Sequence, residues 1–207
     1  MLDVHVLTLP GLPDAWIEQR RASIAAAVEA AGYPVTIHEV DGIDGHLGQS
    51  RERGYSLGTA EYVTHVDHDD YVHADAFSVL KDALLAGVQA VTTGETVLRP
   101  DGSMTDMPQS RHHLAVFRRD LLDCMQYAAM RMYPDQYLLS QVASTHIDQC
   151  VYVHRIYADS ASRRQRAVAP DDALRELAII ADERLVSAEM LTREQIERVL
   201  DREIGHV

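Results

Sequence analysis

The stretch EYVTHVDHDDYVHADAF, Glu61 to Phe77, decides the reading of this chain. An apolar, strand-like run from Glu61 to Val66 ends in three carboxylates, Asp67, Asp69 and Asp70, and a helix is expected to start near Asp75. Carboxylates this crowded repel one another, so an apolar lead-in that delivers them together suggests a compensating cation rather than a solvated loop. An acidic tip on a buried strand is a place to hold a divalent metal against a phosphate.

Upstream, residues 3–9 read as a first strand. A helix capped by Asp14 should follow, with Ile17, Ile24, Val28 and Ala31 on one face and Gly32 closing it. Val35 and Ile37 alternate with polar residues as a second strand ending in Val40-Asp41-Gly42. Strand, helix, strand with short connections is the signature of a parallel sheet with right-handed crossovers. Ser50 to Leu57 reads as a short helix ahead of the Glu61 strand, and Phe77, Leu80 and Leu84 share one face of the helix that follows it.

Further along, Gln89 to Thr93 is expected as a strand, Glu95 to Met104 as a hairpin around Pro100-Asp101-Gly102, and Leu114 to Phe117 as one more short strand. Asp120 should cap a helix running to about Met132, Pro134 suits the first position of the next helix, and Cys150 to Ile156 return to strand. Beyond Pro170 the pattern is helical only: Leu174, Leu177, Ile180 and Ala181 give one apolar face, and Thr192 with Gln195 resembles a capping box. The expectation is an α/β domain over residues 1–165, its sheet mostly parallel and flanked by helices. A C-terminal helical extension over 166–207 would pack on that domain or pair two copies of the chain.

Composition narrows the function classes. The chain has 207 residues, 46% of them hydrophobic, enough for one domain with a sizeable core. It lacks an apolar run of membrane-spanning length, and its N-terminus has no basic region followed by an apolar one, so a soluble, cytoplasmic protein is expected. Cys124 and Cys150 share no metal-like spacing and read as two reduced thiols. A net charge of −13 argues against a broad nucleic-acid surface, although Arg163, Arg164 and Arg166 form a local cationic patch.

In open α/β sheets ligands bind beyond the carboxyl ends of the strands. Asp41 and Asp44 follow the second strand there, and Asp67 to Asp70 follow the third. Asp41-Gly42 and Asp44-Gly45 read equally well as plain turns. The eleven histidines show no spacing of a metal cluster. One of His112 and His113 is a candidate for an acceptor pocket, and most of the others are expected at the surface.

The segment Gly48 to Phe77 resembles the core of family-2-type glycosyltransferases of the GT-A fold, with an Arg-containing helix, a Gly, a strand and an Asp-x-Asp motif followed by a helix. Val40 to Gly45, VDGIDG, resembles that family's nucleotide-binding turn. HLAVFRRDLL resembles its acceptor-side segment, and Val151 to Arg163 its closing strand and loop. The four matches fall in the family's order and cover roughly residues 3 to 165.

The resemblance implies a nucleotide-sugar donor, a UDP-sugar first among them, a hydroxyl-bearing acceptor and a Mn²⁺ or Mg²⁺ cofactor. It implies that Asp41 and Asp44 contact the base or ribose, that Arg51 lies near the diphosphate, that Asp67 touches ribose or metal, and that Asp69 ligates the metal directly. Asp70 reads as a support near the helix. Asp135 is the implied base for an inverting transfer, with the alternative that it merely favours the dipole of its helix.

Two departures stand out. Pro134 replaces the first acid of the family's pair, and Tyr157 stands where relatives carry a His. His154 or Asp159 is then the substitute metal ligand, and Arg163 with Arg164 a diphosphate clamp. These departures keep a second expectation open, a nucleotide-sugar-binding or scaffold module without turnover. The arginine patch keeps open a third, a viral-type enzyme that glycosylates DNA bases.

Overall fold

A computed structural model describes residues 1–43, 45–110, 113–157 and 170–184. Its strands are β1 (Leu2–Thr8), β2 (Val35–Asp41), β3 (Tyr62–Val66), β4 (Tyr71–Val72), β5 (Ala90–Leu98), β6 (Met104–Met107), β7 (Val116–Arg118) and β8 (Ser144–Arg155). The helices are α1 (Asp14–Ala30), α2 (Leu47–Tyr55), α3 (Lys81–Leu85), α4 (Pro134–Gln141) and α5 (Pro170–Arg184). The eight strands form one sheet in the order β2-β1-β3-β7-β5-β8-β4, with β6 paired to the outer part of β5.

The first third folds as its periodicity dictates. β1 pairs parallel with β2 and with β3, and α1 makes the crossover between β1 and β2. Central parallel strands are covered on both faces and so read as nearly continuous apolar runs. On β1, Leu2, Val4 and Val6 face a core shared with Ile24 and Ala27 of α1. Asp3 and His5 point the opposite way, toward α2, where His5 Cβ would lie 3.1 Å from a Cβ on Gly54.

The long ladders β1–β2, β1–β3 and β5–β8 are parallel, but the sheet as a whole is mixed rather than purely parallel. β7 enters antiparallel between β3 and β5, the β5–β6 hairpin and the β4–β8 pair are antiparallel, and β5 returns to parallel pairing with β8. The hairpin turns at Gly102, whose φ of +82° a side chain would strain. β8 begins at Ser144, earlier than the apolar run suggests, because the ladder to β5 accepts register shifts around Gly94 and so extends over exposed residues.

The helix expected over 120–132 is replaced by two 3₁₀ turns, Arg119–Cys124 and Tyr127–Ala129. The second turn is used for packing: the Met130 carbonyl accepts the Gly48 N–H at 2.9 Å. A Cβ on Gly48 would lie 2.2 Å from the Tyr127 carbonyl oxygen and 2.3 Å from that of Met130. α5 lies against α4, with Leu177 and Ile180 joining Tyr133 and Leu138 in a second apolar cluster. Residues 185–207, including the Thr192 capping box, lie outside the described residues.

The topology shows how the acidic tip is placed. β3 and β4 are consecutive in sequence, yet four strand spacings separate them along the sheet. In a flat sheet that is roughly 19 Å, while the link from Val66 to Tyr71 reaches at most about 18 Å when fully extended. The link is instead folded into a turn, with the Asp70 N–H donating to the Asp67 carbonyl at 3.3 Å. The sheet must therefore curl, and residues 67–70 bridge its two sides across the mouth of the curl.

Two outcomes follow for stability. Gly48→Ala presses a methyl group into two backbone carbonyls and should cost about 1–3 kcal/mol or more in chemical denaturation. Burial pushes the His5 imidazole down to about 4, against the carbonyls of Leu57 and Thr64, which act to raise it. The unfolded chain then binds a proton that the native chain refuses, so stability should fall as pH drops from 6.5 to 4, by up to about 1.4 kcal/mol per pH unit for this group. His5→Gln should flatten that slope in urea melts taken across the range.

Candidate active site

Three elements converge at the carboxyl end of β3. α2 contributes Arg51, the β3–β4 link contributes Asp67, Asp69 and Asp70, and the first turn of α4 contributes Asp135. Pro134 at the start of α4 has its missing N–H where no helical partner would exist, which leaves Asp135 in the first turn. The chain leading into α4 is clamped by α5. Buried Glu176 accepts the N–H groups of Arg131 at 2.6 Å, Met132 at 2.9 Å and Tyr133 at 3.1 Å.

Arg51 is the hub. It is 1% exposed, and its Nη2 donates to Asp67 Oδ1 at 2.8 Å and to Asp135 Oδ2 at 3.2 Å, while Nε donates to Asp135 Oδ1 at 3.3 Å. A guanidinium fork can serve two carboxylates at once in a way an ammonium cannot. Burial opposes the charge on Arg51, but Asp135 and Asp67 outweigh it and raise its pKa further. Burial would likewise raise Asp67, yet the Arg51 charge holds its carboxyl well below the usual range. The Arg51 guanidinium is thus turned inward, behind the acidic tip, rather than toward solvent. Its Nη1 is buried and finds no acceptor among the described residues.

His65 and Tyr55 complete the back wall. The Tyr55 hydroxyl lies 3.0 Å from His65 Nδ1, and His65 Nε2 lies 3.5 Å from Asp135 Oδ2. Burial, then the Arg51 charge, push His65 down to about 4, so the ring is neutral at pH 7 and its contact with Asp135 is not an ion pair. A hydroxyl donating to Nδ1 puts the ring proton on Nε2, toward Asp135. His5, His65 and His113 are all buried, because they sit on central strands or against them.

The acidic tip divides among different partners. Asp70 is 2% exposed and accepts the Tyr152 hydroxyl at 2.9 Å and the Arg155 N–H at 2.7 Å, tying the link to β8. Tyr152 also receives the Asp67 N–H at 3.1 Å. Asp69 faces His68 Nδ1 at 3.5 Å and is hydrogen-bonded to Tyr157, the residue standing where a His was expected. Burial, then the neighbouring Asp70, raise the Asp69 carboxyl to about 6. A buried carboxylate beside another carboxylate fits a hard divalent cation, which takes oxygen ligands and offsets the repulsion. Mn²⁺ or Mg²⁺ held by Asp69 is compatible with this surrounding.

The remaining expected residues are dispersed. Asp41 ends β2 and is exposed, with Oδ1 accepting the Thr8 hydroxyl at 3.1 Å and its carbonyl accepting Arg53 at 3.0 Å. His154 faces Asp70, Nδ1 to Oδ2 at 3.3 Å, and stacks on His113, so it belongs with that pair rather than with Asp67. Asp44, His112, Asp159, Arg163 and Arg164 lie outside the described residues. Glu95 and Glu176 carry no motif and are found only through the fold, and Tyr55 and His65 lie in the Gly48 to Phe77 segment without a role being assigned to them there. Cys124 and Cys150 are free thiols. Among the described residues no helix is long and apolar enough to cross a membrane.

Removing Arg51 leaves the buried Asp135 and the half-buried Asp67 carboxylates facing each other without the charge between them. Arg51→Met should destabilise the chain by about 3–5 kcal/mol in urea denaturation. The double variant Arg51→Met/Asp135→Asn should recover part of that loss. Equal stability of wild type and Arg51→Met would show that the pairing contributes nothing.

No protein-family model matches the sequence, and no curated protein matches it. Solved structures do match in fold. The structure resembles S. aureus TarS 1-349 in complex with UDP at a TM-score of 0.61 and 15% identity, covering 98% of this chain and 70% of that one. It resembles the same TarS segment in complex with UDP-GlcNAc at a TM-score of 0.62 and 15% identity, covering 98% of this chain and 71% of that one. Against S. aureus TarS at its longer length the TM-score is 0.57 at 15% identity, and the chain spans 43% of it. The mixed sheet flanked by helices is therefore the fold of TarS, whose solved complexes contain UDP and UDP-GlcNAc.

Proposed function

We propose that this chain is a nucleotide-sugar glycosyltransferase that moves a hexosyl or pentosyl group to an acceptor hydroxyl with inversion and with the aid of a divalent cation. The observation that carries the reading is the single buried guanidinium that joins Asp67, at the donor-side strand end, to Asp135, at the start of α4. The TarS complexes with UDP and UDP-GlcNAc support a nucleotide-sugar donor, and a UDP-sugar first.

Asp41, at the rim beside β1, meets the base or ribose, with Asp44 as its expected companion, and Asp67 meets the ribose. Asp69 is the carboxylate that holds Mn²⁺ or Mg²⁺, and a bound cation supplies Lewis-acid neutralisation of the departing diphosphate. Asp135 takes the proton of the acceptor hydroxyl as the new oxygen–carbon bond forms at the anomeric centre and the bond to the diphosphate breaks. Arg51 and His65 orient the Asp135 carboxylate for that transfer. The Arg163 patch is assigned to the diphosphate by charge alone.

A second reading has its own observation. Asp135 is 6% exposed and doubly bonded to Arg51, which suits a structural carboxylate in a nucleotide-sugar-binding module without turnover. Calorimetry with UDP-, GDP- and TDP-sugars with and without Mn²⁺, paired with an assay for released nucleoside diphosphate, separates the two. Transfer predicts metal-dependent donor hydrolysis that Asp69→Ala abolishes, and a loss of about 100-fold or more in Asp135→Asn with donor affinity kept. Tight donor binding with no release of nucleoside diphosphate selects the binding module, and full activity in Asp69→Ala overturns the metal assignment.

A further inference from the structure

Behind Asp69, the curl of the sheet brings together two imidazoles and a carboxylate that are far apart in sequence. Asp70, His113 and His154 each offer a ligand atom, and these atoms all lie within 4.8 Å of one another. His154 Nδ1 lies 3.3 Å from Asp70 Oδ2. The rings of Tyr152, His113 and His154 stack in series, with centroids 5.0 Å and 4.3 Å apart. The stack fixes both imidazoles face to face, and β8 supplies two of its three rings from one strand.

The surroundings of the cluster are as ordered as its members. His113 Nδ1 is hydrogen-bonded to Glu95 Oε2, and Glu95 Oε1 accepts the Ser110 hydroxyl at 2.7 Å. A carboxylate on one ring nitrogen is the carboxylate–histidine arrangement that orients metal-bound imidazoles. Asp70 is oriented by the Tyr152 hydroxyl and the Arg155 N–H. A carboxylate with two imidazoles suits borderline transition metals such as Zn²⁺, Co²⁺, Fe²⁺ or Mn²⁺ and is a poor match for Mg²⁺, which prefers oxygen.

We infer that Asp70, His113 and His154 form a transition-metal seat, supported by Glu95 and Tyr152, that the folded chain offers without nucleotide and that is separate from the cation held at Asp69. The seat is a property of the fold and does not depend on the transfer reading. A metal there would tie β8, the link 67–70 and the segment entering β7 at one point.

The test is metal titration of the full chain, stripped with chelator and free of nucleotide, with Co²⁺ absorption as the readout and Mg²⁺ as competitor. The expected result is a single Co²⁺ per chain with imidazole-type bands, displaced by Zn²⁺ and not by Mg²⁺. His154→Ala, a partly exposed site whose thermal unfolding should stay near wild type, is expected to weaken binding at least about tenfold, and Glu95→Gln by about 10–100-fold. Asp69→Asn should keep nucleotide-free binding within about twofold. Absence of Co²⁺ uptake by the folded wild-type chain, displacement by Mg²⁺, indifference to His154→Ala, or loss of the site in Asp69→Asn would each overturn the inference. Because no donor is present, any of these results leaves the glycosyltransfer reading to its own assay.

Discussion

The pairing of one buried arginine with two carboxylates is the constraint on which the rest of the site depends. Arg51 on α2 reaches Asp67 at the end of β3 and Asp135 at the start of α4, residues separated from it by 16 and 84 positions. Taking a guanidinium fully out of water is costly, and it is tolerable here because it meets two carboxylates and its fork meets Asp135 at two points. The trio carries one excess negative charge. Neutral His65 behind it does not cancel that charge. The pairing that organises the site therefore leaves the site attractive to cations instead of saturating it.

Curling of the sheet is the second constraint, and it makes the first possible. A flat sheet would put β4 and β8 on the far side from β3 and leave the acidic link stretched between them. Because the link is a folded turn, the sheet closes toward itself, and Tyr152 on β8 can receive the Asp67 N–H and donate to Asp70 in the same few ångströms. α1 supports the turn from below: Arg20, 2% exposed, donates to the His68 carbonyl at 2.7 Å, and Ser23 Oγ accepts the Val72 N–H at 3.2 Å. Helix and strand thus hold the backbone of the link while its carboxylates stay in place for ligands.

The parts of this architecture that local patterns encode were legible in the sequence. Val4 and Val6, Ile24 and Ala31, and Phe77 and Leu80 recur at strand or helix spacing, and they form the first core as that spacing requires. The strand-end position of Asp67 to Asp70 follows from the same reading. The antiparallel entry of β7 did not, because a three-residue strand carries too little pattern to reveal its direction. Nor did the Arg51–Asp135 pairing. Any of several arginines and acids satisfies the charge rule, and only the tertiary path selects this pair. Glu95 was equally silent, and His113, read as a candidate for an acceptor pocket, gave no sign of its carboxylate partner, since a histidine next to a strand looks alike whether it faces water or a carboxylate.

Within the link, the four positions show how a short acidic segment is made stable without losing its reactivity. Asp67 is neutralised by Arg51, and Asp70 is absorbed into hydrogen bonds from β8. Asp69 lies between them with a histidine and a tyrosine as neighbours, and its carboxyl is raised to about 6 by burial and by Asp70. A raised carboxyl means that the fold pays to ionise it, so near neutral pH the folded chain is less stable than it would be with Asp69 protonated. That cost persists unless something positive binds. Asp67 and Asp70 are each drawn to strong partners within the chain, whereas burial and Asp70 still hold the Asp69 carboxyl raised, so on the proposed reading Asp69 is the position where a divalent cation gains most.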